Sequence, residues 1–157
     1  MHWCGGHIKG GIMKKILLVV LALTIISCGQ KKSAQDYFNK GAQLIEKGEI
    51  DKSIEYYQQG LKLEPRSAVG HNLLGMAYRS KFNQTGDSEW KKKEIASFET
   101  ALEINPDYMN ALVNLGATYY YSGEKKEAVR YFKHALEVYP KHPEADQIKK
   151  MITEAEE

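Results

Sequence analysis

Apolar residues recur at helical spacing in paired segments from about residue 34 onward. Spacings of three and four residues place such side chains on one face of a helix. Prolines follow the second segment of each pair at Pro65, Pro106 and Pro140, where the residue before proline disfavours helical backbone. The pattern predicts six amphipathic helices in three antiparallel pairs. The residues that carry it are Leu73, Leu74, Ala77 and Tyr78; Leu112, Leu115 and Tyr119; Ile54, Tyr57 and Leu61; Ile95, Phe98 and Leu102; and Val129, Phe132 and Leu136.

A short motif of leucine, glycine and tyrosine repeats along these segments. Pro106 and Pro140 lie 34 residues apart, whereas Pro65 and Pro106 lie 41 apart, which is one period plus seven residues. A chain that repeats itself forms a stack of similar units, and each unit buries its apolar face against its neighbours. Two clear copies and a fainter one are Leu74-Gly75-x-x-Tyr78, Leu115-Gly116-x-x-Tyr119 and Gly41-x-x-Leu44.

The period and these motif residues resemble the tetratricopeptide repeat. The resemblance implies an all-α, right-handed helical solenoid of three antiparallel helix pairs with a capping helix after them. We assign the repeats to residues 34–67, 68–108 and 109–142, with the seven extra residues inside the second repeat. The cap takes residues 143–157, and Pro143 suits the first position of a helix that runs to about Ala155 with a polar outer face.

Glycines inside the predicted first helices need a reason, because a mid-helix glycine costs about 1 kcal/mol relative to alanine. We expect Gly41, Gly75 and Gly116 to allow close approach to small residues on the second helices. The expected contacts are Gly60, Ala101 and Ala135, respectively. Gly48 and Gly123 fit the turns between helices, where glycine adopts positive φ at little cost.

The seven extra residues predict a loop between the two helices of the second repeat, at about residues 80–87. Ser88 is the expected cap of the helix that follows. Phe82 and Trp90 flank this segment and form a second candidate binding surface, since exposed aromatic residues often anchor interfaces. The alternative is that Trp90 packs back on its own repeat.

The start of the chain predicts export and anchoring. Residues 13–27 begin with Met13-Lys14-Lys15 and continue with an apolar run of eleven residues, which is too short to cross the ~30 Å hydrocarbon core of a bilayer. The run ends in Ile25-Ile26-Ser27-Cys28, which resembles the lipobox of bacterial lipoproteins. That resemblance implies a lipidated Cys28, a tether over residues 28–33 and a place in the bacterial cell envelope. Gly29 directly follows this cysteine and favours anchoring of the protein at the periplasmic face of an outer membrane, in a cell that has one. The alternative is an uncleaved anchor with an incidental cysteine.

Residues 1–12 do not fit that signal, and we expect them to be a leader upstream of a start at Met13. The leader and signal contain three lysines, so the chain from Cys28 carries 19 basic and 20 acidic residues, against 22 and 20 for the whole sequence. The formal charge thus falls from +2 to −1, which removes the electrostatic basis for binding nucleic acid.

No recognised catalytic or metal motif occurs in the sequence. Its histidines form no known ligand pattern, and we discount His2, Cys4 and His7 as a metal site because they lie in the leader. We therefore expect no enzymatic activity, no cofactor and no small-molecule substrate.

The family resemblance implies that the first helices line a concave face that binds a peptide or a partner helix. Tyr120 and Tyr121 lie about 100° and 200° around the helix from Tyr119, so at least one should face this groove unless the capping helix covers them. The candidate partner-binding residues are Phe38, Asn72, Met76, Arg79, Asn110, Val113, Asn114, Ala117, Tyr120 and Tyr121.

A clamp for C-terminal carboxylates, as one subgroup of this family has, is not expected. Phe38, Ala42 and Leu73 stand where that clamp needs lysine or asparagine. Two functions fit the sequence: a lipid-anchored adaptor that binds a partner protein or peptide, in support of assembly of an envelope complex, or a periplasmic carrier or chaperone for unfolded peptides or a small ligand.

Overall fold

The computed structural model describes residues 32–157, which form seven helices and contain no strand. Short turns join the helices into three hairpins, and the seventh helix packs on the last hairpin. This confirms the predicted all-α stack of three helix pairs with a capping helix. The helices are α1 (Ala34–Glu46), α2 (Ile50–Leu63), α3 (Ala68–Thr85), α4 (Ser88–Ile104), α5 (Met109–Tyr121), α6 (Lys125–Val138) and α7 (Ala145–Glu156).

Local chemistry explains where the helices begin and end. Ser33 and Asp36 form a capping box at the start of α1, and the Ser67 hydroxyl accepts the Gly70 amide at the start of α3. The second helices α2, α4 and α6 each stop two residues before Pro65, Pro106 or Pro140, as predicted. The predicted turn glycines Gly48 and Gly123 have φ of 74° and 81°.

Aromatic rings from the second helices fill the space beside the glycines of the first helices. The pairs are Gly41 with Tyr57, Gly75 with Phe98 and Gly116 with Phe132. A Cβ atom on the last two glycines would come within 2.6 and 2.7 Å of the ring. The expected close approach is confirmed, but the nearest side chains are these rings and not the expected partners Gly60, Ala101 and Ala135. Each of these lies about one turn further along its helix, and the larger ring occupies the gap.

The insertion in the second repeat lengthens two helices rather than forming a loop. In the register of the repeats, α3 continues for five residues, 81–85, beyond the point where α1 ends. Helix α4 begins three residues earlier than α2 and α6 do, so only residues 86 and 87 lie between α3 and α4. Asp87, not Ser88, caps α4 by accepting the Glu89 amide at 3.0 Å. Residues 80–85 contain no glycine or proline, so continued helix satisfies their backbone hydrogen bonds.

Helix α7 covers the apolar end of the third repeat. Ile148 and Ile152 are buried in a cluster with Phe132 and Leu112. The helix begins at Ala145, two residues later than predicted, because the Ala145 amide closes a turn on the His142 carbonyl at 2.9 Å and leaves Pro143 outside the helix.

Several predictions for the start of the chain lie outside the described residues. These are the leader at 1–12, the signal segment at 13–27, the lipidated Cys28 and all but the last two residues of the tether. Between residues 32 and 157, no helix combines the length and apolar character that a membrane span requires.

Candidate partner-binding groove

The first helices of the three hairpins form one continuous surface. Helix α3 contacts both α1 and α5, whereas the second helices α2, α4 and α6 do not contact one another. The stack therefore curves with α1, α3 and α5 on its inner side, and we call this inner surface the groove. Large apolar side chains are exposed on it: Val69 is 46% exposed, Met76 45% and Tyr121 79%.

A polar network underlies the middle of the groove and joins α3, α4 and α5. Arg79 Nε donates to Glu94 Oε1 at 2.7 Å, and the Thr118 hydroxyl lies 2.6 Å from the same oxygen. Arg79 Nη2 donates to the Asn114 carbonyl at 2.7 Å and to Thr118 Oγ1 at 2.8 Å. Arg79 Nη1 donates to Asn114 Oδ1 at 3.1 Å, and Asn114 Nδ2 donates to Asn72 Oδ1 at 3.0 Å. The bonds fix the rotamers of five side chains and leave them little freedom to reorganise.

Glu94 occupies a position that the other repeats give to a small side chain. Its equivalents in register are Ser53 and Ala128, both fully buried. The Glu94 side chain is only 3% exposed and its partner Arg79 is 29% exposed. A buried carboxylate is tolerated when it is paired and hydrogen-bonded, as this one is.

An open cavity of about 300 Å³ lies above this network, between the C-terminal halves of α3 and α5 and the first turns of α4. Arg79 and Glu94 form part of its base, and Phe82 and Tyr121 contribute aromatic rings. The complete lining is Arg79, Phe82, Asn83, Lys91, Glu94, Ala117, Thr118, Tyr121 and Ser122.

Three of the predicted groove residues belong to contacts between repeats instead. Phe38 is 3% exposed, and its ring fills the space that Gly60 and Gly70 leave open. Asn72, at the equivalent position in the second repeat, is also 3% exposed, and Val113 in the third packs against the apolar cluster under α7. Phe38 is therefore a core residue and not part of the groove surface, because this position points toward the next repeat.

The other predicted residues divide between the groove and the fold. Met76 and Tyr121 are exposed on the inner surface, Asn110 is exposed at the start of α5, and Ala117 lines the cavity. Arg79 and Asn114 hold the network. Tyr120 turns toward the capping helix, where its hydroxyl donates to the Glu154 carboxylate at 2.7 Å. That hydrogen bond raises the pKa of Tyr120 and lowers the pKa of Glu154.

The second candidate surface is divided in the same way. Trp90 packs on its own repeat, with its ring centroid 5.7 Å from that of Tyr78. This agrees with the alternative to an exposed binding residue. Phe82 lines the cavity instead. Five residues of the cavity were not predicted from the sequence: Asn83, Lys91, Glu94, Thr118 and Ser122. For Glu94 a signal was present, since a charged residue stands where the aligned repeats have serine and alanine.

No group of three or more His, Cys, Asp and Glu side chains suited to a metal ion occurs within residues 32–157. The groove offers hydrogen-bonding groups and apolar surface, which suit the binding of a polypeptide.

These features define a helical-repeat protein with a concave binding face. A sequence model of the tetratricopeptide repeat family matches residues 28–67 and 109–142. These ranges contain the first and third repeats, and the repeat with the insertion lies between them. The chain contains tetratricopeptide repeats and has the all-α solenoid fold of tetratricopeptide domains.

Curated relatives resemble the chain over most of its length. It is 28% identical over 139 residues to the photosystem I assembly protein Ycf3 of Rippkaea orientalis, a match that covers 76% of each chain. It is 31% identical over 120 residues to Ycf3 of Prochlorococcus marinus, with coverage of 71% of this chain and 66% of the relative. The human protein IFIT1 homolog B is 24% identical over 147 residues, but only 31% of its length is covered.

Solved structures share the fold at lower identity. The first tetratricopeptide domain of Spaghetti (RPAP3), bound to the HSP90 peptide SRMEEVD, has a TM-score of 0.67 and 21% identity, with coverage of 80% of this chain and 94% of that one. The TPR2B domain of yeast Sti1, in its pHsp70 complex, has a TM-score of 0.68 and 17% identity, with coverage of 78% and 95%. Identities this low establish the fold and not the ligand.

Proposed function

We propose that this protein is a lipid-anchored adaptor of the bacterial cell envelope that binds a partner protein through its groove. The observation that carries the proposal is the exposure of Val69, Met76 and Tyr121 on the inner surface, over a base held rigid by the Arg79 network. Apolar side chains on a rigid surface bind with little loss of conformational entropy. The role is non-enzymatic, and the partner is a peptide segment or a helix.

The comparisons support a role in assembly. The Ycf3 relatives are named as assembly proteins, and two structural neighbours were solved with bound partners, one an HSP90 peptide and the other pHsp70. Tetratricopeptide folds are typical of proteins that bind other proteins or peptides. By extension, the adaptor holds a component of an envelope complex while that complex forms.

The anchoring rests on the sequence before the first helix. Only residues 29–33 separate Cys28 from the start of α1 at Ala34. One acyl chain gives marginal and reversible membrane binding, whereas two hold a protein stably. A diacylated Cys28 therefore keeps the groove close to the membrane surface.

The anchor is tested by labelling a bacterial expression host with an alkyne fatty acid. The wild-type chain should be labelled and shortened by signal cleavage, and Cys28→Ala should be unlabelled and uncleaved. Cys4→Ala is the control, since Cys4 lies in the expected leader before Met13 and its replacement should change neither property. Normal labelling and cleavage of Cys28→Ala would contradict the lipoprotein assignment.

The groove is tested by photo-cross-linking in intact cells of the native bacterium, with a benzoylphenylalanine at one position at a time. Met76 on the inner surface should give one discrete adduct, and the exposed Gln59 on α2 should give none. Equal cross-linking from both positions would overturn the groove as the binding site. A broad distribution of adducts from Met76 would favour the carrier or chaperone instead.

A further inference from the structure

The cavity beside the groove exists because the second hairpin is longer than its neighbours. Phe82 and Asn83 lie in the part of α3 that has no counterpart in α1, and they face residues at the end of α5. Helix α5 ends at Tyr121, so the longer second hairpin projects beyond the end of α5. Tyr121 lies where this projection begins. The insertion thus adds a binding surface that the other two repeats lack.

The cavity carries an excess of positive charge. Arg79 and Glu94 at its base form an ion pair with each other. Lys91 is the other charged residue of the cavity lining, and no carboxylate within residues 32–157 forms an ion pair with it. Its ammonium lies 5.7 Å from the centre of the Phe82 ring. Two cations against one carboxylate give a local charge of about +1, which attracts an anionic group and repels a cationic one.

The walls add apolar area next to that charge. Tyr121 is 79% exposed, and Phe82 and Ala117 complete an apolar side. An exposed aromatic ring gains when a partner side chain covers it. A ligand residue that meets both features needs a carboxylate beside an apolar group.

We propose that this cavity is a subsite for an acidic residue flanked by apolar or aromatic side chains in an extended segment of the partner. The carboxylate binds Lys91, and the flanking side chains cover Phe82 and Tyr121. The inference rests on the proposed function of the groove and names the chemistry of its partner.

The test uses two blocked pentapeptides, acetyl-Ala-Phe-Glu-Phe-Ala-amide and its lysine counterpart, in calorimetric titrations of the full chain in mild detergent at low salt. Blocked ends remove any contribution from a terminal carboxylate. The glutamate peptide should bind about five-fold more tightly than the lysine peptide, as expected for one partly exposed charge pair. In about 1 M salt this preference should disappear, because the Debye length falls to about 3 Å.

Two charge reversals separate the cavity from the general field of the protein. Lys91→Glu should reverse the preference between the peptides. Lys92→Glu changes the charge equally one residue away, on an exposed side chain outside the cavity, and should keep the preference. Circular dichroism checks that both variants are folded.

Three results would overturn the subsite: no binding of either peptide, equal affinity for both in the wild type, or the same effect from both reversals. Loss of the Met76 cross-link is a separate result that concerns the adaptor function. If Met76 gives an adduct but the two peptides bind equally, the adaptor function stands and the acidic subsite is wrong. If the glutamate peptide binds more tightly but Met76 gives no adduct, the subsite stands and the adaptor function is wrong.

Discussion

At the scale of single residues, a glycine on each first helix lies close against an aromatic ring on the second helix of the same repeat. The Phe98 and Phe132 rings are fully buried. In close-packed interiors an added methyl group displaces its neighbours. These positions therefore require glycine even though glycine weakens the helix.

Replacing Gly116 by leucine should destabilise the fold by about 1–3 kcal/mol or more, because the new side chain overlaps the Phe132 ring. The free energy of unfolding is measured by urea denaturation. Lys149→Leu is the control, since that side chain is 60% exposed on α7 and its change should cost little. Equal stability of the two variants would argue against this packing.

The Tyr119 phenol makes the stability of the fold depend on pH in the alkaline range. Burial, with a further contribution from the nearby Glu99 carboxylate, raises the pKa of Tyr119 from 10.0 to about 12. A raised folded-state pKa means that the folded chain holds the phenol proton more tightly than the unfolded chain. The stabilisation is therefore complete below pH 10 and is lost as the pH rises from 10 to about 12.

Melting temperatures measured from pH 8 to 12 should fall above pH 10, and Tyr119→Phe should fall less steeply because it has no phenol to ionise. Tyr121→Phe is the matched control, since it removes the same hydroxyl from a side chain that is 79% exposed. Identical profiles for all three chains would show that Tyr119 does not control the alkaline transition.

Some residue roles followed from the sequence and others did not. The turn glycines were predicted because positive φ is a local requirement that glycine meets. Phe38 was misplaced because its burial depends on Gly60, on the second helix of its own repeat, and on Gly70, on the first helix of the next repeat. A helical projection assigns a residue to a face, but it does not show which faces a neighbouring repeat covers.

At the scale of elements, the polar network replaces apolar packing at one junction of the stack. The first repeat has Ile45 and Ser53 at the positions of Arg79 and Glu94, so the chain itself supplies an apolar and small pair for the same geometry. An ion pair buried on one side is a weak source of stability, but removal of one partner leaves a charge without compensation.

Glu94→Ser alone should therefore cost about 3 kcal/mol, the lower end for a broken buried pair because Arg79 remains partly exposed. The double change Arg79→Ile with Glu94→Ser, which copies the first repeat, should cost less than the single change, because it leaves no charge unpaired and loses only the hydrogen bonds of the pair to Asn114 and Thr118. Chemical denaturation of the two single variants and the double variant forms a double-mutant cycle. Simple additivity of the single effects would show that the pair is not coupled.

The helices themselves were largely predictable, because amphipathic spacing, prolines and turn glycines act locally. The insertion was correctly counted but wrongly assigned to a loop, since residues 80–85 contain no glycine or proline and can extend a helix equally well. The cavity was not predictable, because Lys91 and Tyr121 meet there only after the stack has formed.

At the scale of the whole molecule, the stack ends in polar helices on both sides. The large exposed apolar residues of the described range are Leu63, Val69, Met76, Tyr121 and Tyr139, and none of them lies in α1 or α7. Terminal repeats need such polar surfaces for solubility. The three repeats and the cap therefore form a closed unit, with apolar exposure on the groove and at two helix ends.

The placement of the Arg79 network has a consequence for the order in which the native structure opens. It joins α3, α4 and α5 by charge-assisted bonds, whereas the first hairpin is held to α3 mainly by apolar contacts, a Lys81–Asp51 ion pair and a hydrogen bond from Gln58 to Tyr78. Since each hairpin contacts only its neighbours, partial openings should begin at the ends. Native-state hydrogen exchange should show the amides of α1 and α2 exchanging through a smaller opening free energy than those of α4 and α5. Uniform protection along the chain would mean that the stack opens as one cooperative unit. A partner that contacts all three first helices would then not stabilise the first hairpin selectively.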